Sequence, residues 1–393
     1  MTAPRPLRIL HCFRSPVGGI FRHVRDLAEE HAGAGHEVGI LCDSTTGGSY
    51  EDKLFDGIRP YLSLGLTRLE MQRSIGFSDI RSVYKTYKQI KELKPDILHG
   101  HGAKGGAFAR LAGSRLRVSG SSVARFYSPH GGSLHYDSRT ARGQLYFGIE
   151  RFFERWTDNL IFVSDYERRT YVEKIGEPGT DWELIYNGLR PPEFEPVHTE
   201  ADAPEFLYIG MMRDLKGPDI FIDAIRGAEK ITGRPLRAVM VGDGDDKLRY
   251  IKKIEAMGLS GRIAMHDAMP ARKAFALAQN VVVPSRAESM PYIVLEAVAA
   301  GKPMLATNVG GIPEILGADS AALVTPDDSD AMAQSMARAV SEAGWLARAM
   351  PKAKQFRDRF SAAHMAERML GIYHDRLSDA SKGQSVPVAS SLS

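Results

Sequence analysis

Short β-rich runs alternate with longer helical patterns along almost the whole chain, and that rhythm admits few architectures. Strands read at 7–13, 37–42, 96–100, 121–127, 159–164 and 182–187, then at 205–210, 236–242, 262–266, 281–285 and 303–307. Helical patterns such as GIFRHVRDLAEEHAGAG, SDIRSVYKTYKQIKELK and DIFIDAIRGAEKITG lie between them. Strand, crossover helix and next strand make a parallel pair, so the pattern predicts parallel sheets covered on both faces. Two successive series predict an α/β protein with two Rossmann-like domains in tandem. The 393 residues exceed one typical domain. The seam falls in NGLRPPEFEPVHTEADAPE (187–205), rich in proline and charge and without periodicity. The reading is therefore an N-terminal domain over 1–188, a C-terminal domain over 189–360, a last helix over 361–377 and a polar tail at 378–393 read as disordered.

Composition then narrows the function classes. A net charge of +3 is too mild to argue for nucleic acid, and 43% hydrophobic residues suffice for two cores. The two cysteines, Cys12 and Cys42, sit in apolar runs and read as buried thiols of a reducing compartment, not a disulfide framework. MTAPRPLRILHCF has too short an apolar stretch for a signal peptide, and no window reaches the ~20 apolar residues of a membrane span. A cytoplasmic protein is the expectation.

Glycine clusters follow several of the strands, where an open α/β sheet holds its ligands. In SPVGGIFRHV (15–24), Gly18 and Gly19 let backbone amides approach a phosphate or sugar, beside a helix beginning near Ile20. The spacing does not match G-x-G-x-x-G. In YIGMMRDLKGPD (208–219), Arg213 and Lys216 precede a helix, a pairing that can stabilise a diphosphate without metal. VMVGDGDD (239–246) brings Gly242, Asp243 and Asp245, which read as a turn between strand and helix in preference to a D-x-D metal site.

The segment ESMPYIVLE (288–296) carries a glutamate at each end. With a helix starting at Ser289 or Met290 and Pro291 in its first turn, Glu296 falls about two turns in, roughly 10 Å along the axis from Glu288. A sugar nucleotide suits that spacing. Its diphosphate fits a helix N-terminus, and its ribose and hexose each offer vicinal hydroxyls to a carboxylate.

Together these residues resemble the family 4 glycosyltransferases, retaining enzymes with the two-Rossmann architecture called GT-B. The E-x7-E element, Glu288 to Glu296, is the most specific mark, followed by EAVAAGKPMLATNVGGIPE (296–314). Further matches are GGIFRHVRDL…GHEV (18–38), DILHGHGAKGG (96–106), YSPHGG (127–132), FVSDYE (162–167), IYNG (185–188), GMMRDLKG (210–217) and VGDGD (241–245). The resemblance implies parallel sheets facing an interdomain cleft, with the last helix packing back on the N-terminal domain. It implies that Glu296 holds the ribose diol, Glu288 the transferred sugar, and Lys216 the diphosphate. Backbone amides of Ser289 and Met290 would face sugar or phosphate, His130 would reach the donor sugar, and Gly19 would lie near the phosphates and acceptor. Glu288, His130, Arg213 and Lys216 are thus the candidate catalytic residues, and Gly18, Gly242 and Asp243 join the donor set. Two departures stand out: Met211 occupies the family's arginine position, leaving Arg213 as substitute, and Ser289, Met290 and Pro291 replace a glycine and an aromatic.

The implied activity is retaining, metal-independent transfer of a hexose from a nucleoside-diphosphate sugar to a saccharide or lipid-linked acceptor, in bacterial cell-surface polysaccharide or glycolipid synthesis. No metal or other cofactor is expected. A sugar-nucleotide epimerase of the same architecture, or a non-catalytic nucleotide-sugar-binding module, are the competing readings. Between Lys104 and Arg142 lie Arg110, Arg115, Arg117, Arg125 and Arg139 with Asp137 as sole acid, a stretch suited to an anionic membrane surface or to a solvated helix face. His99 and His101 share one strand face, but no nearby residue completes a metal-ligand set.

Overall fold

The computed structural model describes residues 5–71 and 78–383. The first stretch of chain runs β1 (Arg8–Phe13), α1 (Gly18–Gly33), β2 (Glu37–Asp43), α2 (Ser49–Ile58), β3 (Gly65–Leu69), α3 (Ser78–Leu93), β4 (Ile97–His101), α4 (Gly102–Val118), β5 (Ala124–Ser128), α5 (Ala141–Glu154), β6 (Asn159–Phe162), α6 (Asp165–Lys174) and β7 (Trp182–Leu184). It continues with β8 (Phe206–Ile209), α7 (Pro218–Thr232), β9 (Ala238–Val241), α8 (Lys247–Ala256), β10 (Ile263–His266), α9 (Ala271–Phe275), β11 (Asn280–Val283), α10 (Tyr292–Ala299), β12 (Met304–Thr307), α11 (Ile312–Leu316), β13 (Leu323–Val324), α12 (Ser329–Ser341), α13 (Trp345–Arg348) and α14 (Ala353–Arg359). The last helix is α15 (Ala362–Gly383). The described residues up to Gly188 and from Ala362 to Gly383 form one compact unit, and Leu189–Ser361 form the other.

In the first unit a seven-stranded parallel sheet has the order β3-β2-β1-β4-β5-β6-β7. Successive residues of one strand serve opposite faces, and both faces are apolar, as a sheet covered twice requires. Ile9 and Ile97 point to a layer with Met365, Met369 and Tyr373 of α15. Leu10 and Leu98 point to the other layer, with Ile90 of α3 and Phe108 of α4. The last helix thus packs on the sheet of the N-terminal half, and it continues to Gly383, past the 377 read as its end. Ala380 and Lys382 extend it because both residue types favour the helix. The rest of the tail at 378–393 lies outside the described residues.

The second unit is a six-stranded parallel sheet, β10-β9-β8-β11-β12-β13. In each sheet the strand order reverses beside the first strand, between β1 and β4 and between β8 and β11. A crevice opens at the carboxyl ends of strands flanking such a reversal, because their crossovers leave on opposite faces. Two strands escape the sequence pattern. Half-buried GLTRL of β3 is an edge strand, and β13 has only two residues. The helix in ESMPYIVLE also begins later than expected, at Tyr292, with Pro291 extended at ψ 120° as its N-cap. A proline ring keeps the preceding Met290 out of the helical region, so 288–291 is loop. Glu296 therefore lies about one turn into the helix, and the axial spacing argued for the two glutamates does not apply.

Candidate active site

Glu288 follows β11 and Lys216 follows β8, the two strands at the reversal of the second sheet. Lys216 Nζ lies 2.6 Å from Glu288 Oε1, and Ser285 Oγ donates to the same oxygen at 2.7 Å. Close backbone packing holds this contact. Gly217, at φ +67°, lets its loop cross the carbonyl of Pro284, where a Cβ would sit 2.0 Å from the oxygen. Gly310, at φ +60°, lies against the Glu288 carbonyl, where a Cβ would come within 1.8 Å. That close approach gives NVGG (308–311) a structural reason, and Gly311 N also donates to Ser289 O at 2.9 Å.

Arg286 knits the two loops together and was not singled out by sequence reasoning. Its backbone N donates to Leu215 O at 2.9 Å. Its guanidinium donates twice to Asp219 in the first turn of α7, at 3.0 and 2.7 Å, once to Asp327 at 2.6 Å, and to the Asp214 carbonyl. Burial alone would raise the Asp219 carboxyl, but the Arg286 bonds and the first amides of α7 hold it below the ordinary range. Only the arginine's place three residues after β11 was visible in the chain.

The remaining donor candidates of the second unit fall as follows. Arg213 is exposed just before the short helical turn carrying Lys216, and Met211 beside it is 53% exposed. Gly242 directly follows β9 at φ +150°, against the Gly210 carbonyl. Asp243 accepts from Lys247 Nζ at 2.6 Å and from Ala268 N at 2.9 Å, so each oxygen already has a partner within the fold. Met290 is buried, Ser289 half-buried, and Glu296 half-buried on α10.

In the first unit, Gly18 and Gly19 are exposed and open α1, two residues before the expected onset at Ile20. His130 sits in the turn after β5 at φ +50°, followed by Gly131 at φ +75°. Glu167 braces this turn, accepting from Gly131 N at 2.5 Å and from Val163 N at 3.0 Å. Ser164 caps α6 through Glu167 N, which gives FVSDYE its spacing.

Six histidine rings gather beneath that turn, and here the sequence reading needs correction. His99 and His101 do share a strand face, with ring centroids 4.0 Å apart. Register places His11 of β1 opposite His99, while α1 and the β5 turn add His23 and His130. Among the described residues, the ligand atoms of His11, His99 and His101, and those of His23, His101 and His130, lie within 4.8 Å of one another. Ligand sets of the right kind therefore exist. They arise from segments far apart in the chain, which strand alternation alone cannot bring together. Burial pushes His23 down to about 4 and His31 to about 3, so both rings are neutral near pH 7.

The basic stretch 104–142 does not present its charges as one face. Arg110 is wholly buried, donates to Glu150 at 2.9 Å and stacks on Tyr127 at 3.9 Å. Arg117 and Arg125 both pair with Asp158, and Arg139 pairs with Asp137. Acids outside the window, Glu150 and Asp158, take up Arg110, Arg117 and Arg125 of the cationic run. A cavity of about 830 Å³ lies beside this region, lined among others by Arg14, Val17, Lys104, Tyr136, Leu145 and Phe152. Among the described residues no helix is long and apolar enough to cross a membrane.

Comparison with known proteins matches residues 17–191 to "Glycosyltransferase Family 4" and residues 203–342 to "Glycosyl transferases group 1". An uncharacterised glycosyltransferase of Methanocaldococcus jannaschii is 26% identical over 76% of this chain and 78% of its own. The Escherichia coli UDP-Gal:α-D-GlcNAc-diphosphoundecaprenol α-1,3-galactosyltransferase is 25% identical over 70% of this chain and 72% of its own. The crystal structure of Anabaena HepE in complex with UDP superposes with a TM-score of 0.75 at 17% identity, over 94% of this chain and all of that one.

Proposed function

The chain belongs to the group 1 glycosyltransferases, with a family 4 N-terminal half, and on that premise we propose retaining, metal-independent transfer of a hexose from a nucleoside-diphosphate sugar. The observation that carries this reading is the 2.6 Å contact of Lys216 with Glu288 at the strand reversal of the second sheet. Cleavage of the sugar–phosphate bond puts positive charge on the anomeric carbon and negative charge on the leaving diphosphate. Lys216 would turn its ammonium to that diphosphate, with Arg213 as a second cation, while Glu288 accepts from the sugar's hydroxyls. Glu296, the amides of Ser289 and Met290, and the loops of Gly18, Gly19, Gly242 and Asp243 complete the donor set. His130 is the catalytic candidate of the first unit. In the step proposed, the C1–O(phosphate) bond breaks, a C1–O(acceptor) bond forms on the same face, and the acceptor's hydroxyl proton passes to the leaving phosphate.

The acceptor we infer is a saccharide on a lipid diphosphate, met at the cytoplasmic membrane face during cell-surface polysaccharide or glycolipid synthesis. Two facts support it. The E. coli relative's name specifies a diphosphoundecaprenol-linked acceptor, and the cavity of the first unit joins apolar Val17, Leu145 and Phe152 to the cations Arg14 and Lys104. Membrane contact then rests on this rim, not on the paired arginines of 104–142. Purified protein incubated with UDP-, GDP- and ADP-hexoses, a lipid diphosphate saccharide and EDTA tests the whole reading. Transfer with the donor's anomeric configuration is expected. An inverted product, or activity that returns only with added Mn²⁺, would overturn it, as would donor turnover without acceptor, the mark of an epimerase.

A further inference from the structure

We propose that His23, His101 and His130 form a binding site for a late first-row divalent cation such as Zn²⁺, and that filling it withdraws His130 from the transfer reaction. The three rings face one another, with centroids 4.8 Å apart for His23 and His130, 5.5 Å for His23 and His101, and 5.3 Å for His101 and His130. Each offers a nitrogen within 4.8 Å of the other two. His23 Nδ1 donates to Asn187 Oδ1 at 3.0 Å, which leaves Nε2 as a bare lone pair. That buried Nε2 has no hydrogen-bond partner.

The surroundings match the outer shell of a histidine metal site, where the second ring nitrogen donates to a carbonyl or a further acceptor. Asn187 supplies it for His23. His11 Nδ1, 3.0 Å from His101 Nε2, supplies it for His101. The cation would replace the 3.0 Å bond between His101 Nδ1 and His130 Nε2, the rings remaining neutral. Three imidazoles and an open fourth position suit Zn²⁺ or Co²⁺. Access exists, since His101 borders the 830 Å³ cavity and His130 is half-buried. The second triad, His11, His99 and His101, is a weaker host. Both ring nitrogens of His99 are already engaged, by Tyr373 OH at 2.6 Å and Ser128 Oγ at 2.9 Å.

The binding half of the proposal stands on geometry, whereas the inhibition half rests on the role given to His130 above. Full-length protein stripped with EDTA is titrated with Co²⁺. Visible absorption of tetrahedral Co²⁺ saturating at one equivalent, and displaced by Zn²⁺, is expected. Asn187→Ala should weaken Co²⁺ binding about 10- to 100-fold by freeing the His23 ring, and His23→Gln should abolish the spectrum. His99→Gln should retain it. No Co²⁺ spectrum in the folded wild type, or a spectrum lost in His99→Gln and kept in His23→Gln, overturns the site. Zn²⁺ should also inhibit hexosyl transfer, with EDTA restoring it. A bound ion that leaves transfer untouched overturns the inhibition while leaving the site.

Discussion

Lys216 and Glu288 form a charge-assisted bond that contributes little to folding. The lysine side chain is 24% accessible, so water screens its charge, and Ser285 Oγ still donates to the more buried glutamate when the lysine is removed, which holds the loss to about 1–2 kcal/mol. Changing it therefore reports on chemistry more than on stability. Lys216→Ala should lower kcat by about 100- to 1,000-fold, the loss typical of one preorganised stabiliser of developing charge, with the melting temperature shifted by only a few degrees. Initial rates at saturating donor, beside a thermal melt, check both numbers. Wild-type turnover in Lys216→Ala would remove the lysine from the mechanism. These residues were legible because each follows directly on a β-rich run, where position along the chain already implies position on the sheet edge. The histidine cluster was not. His11, His23, His101 and His130 belong to four separate elements or turns, and their convergence depends on the order of strands in the sheet.

At the scale of elements, the loop after β11 depends on Arg286. Lysine keeps the charge there but lacks the planar fork that donates twice to Asp219. Arg286→Lys should loosen the loop carrying Glu288 from the one carrying Lys216, raising KM for donor and lowering kcat together by about 10-fold or more. Steady-state kinetics that match wild type would show the loops to be held by Gly217 and Gly310 alone. Another inter-element tie joins α1 to α15, where buried His31 Nε2 donates to the Ala366 carbonyl at 3.3 Å. Burial dominates its environment, and His36 and His23 add repulsion, so the folded ring titrates at about 3 against 6.5 for a free histidine. The unfolded chain thus takes up a proton that the folded ring refuses. Stability is complete above pH 6.5 and falls as the pH drops toward 3, by about 2 kcal/mol at pH 5 from this group. His31→Leu should lose that part of the decline, read as the difference between urea midpoints at pH 7.5 and pH 5 in the two proteins. An equal decline in both would show that His31 is protonated in the fold. Helices with a clear apolar stripe, such as α1 and α7, were legible from periodicity. The start of α10 was not, because Pro291 can open a helix from its first turn or stand just outside it, and nearby packing against Gly310 and Gly311 decides.

For the whole molecule, two separate cores make ligand binding visible in one of them. A nucleoside-diphosphate sugar at 100 times its Kd adds about 2.7 kcal/mol to whichever unit holds it. For a unit of the size of Leu189–Ser361, each kcal/mol moves the melting temperature by about 2–4 °C, so a rise of about 5–10 °C is expected. The three tryptophans report on different units. Trp156 and Trp182 lie in the first, and Trp345, 8% exposed on α13, lies in the second. In Trp156→Phe/Trp182→Phe protein, the remaining fluorescence follows the second unit alone. Its transition should rise with the matching nucleotide sugar in the presence of EDTA, and rise less in Lys216→Ala, where the diphosphate has lost its ammonium. A shift in the wild-type fluorescence, to which Trp156 and Trp182 contribute, with none in this variant would move the donor to the first sheet. Glu288 in the loop after β11 and Glu296 on α10 would then have no sugar nucleotide to hold.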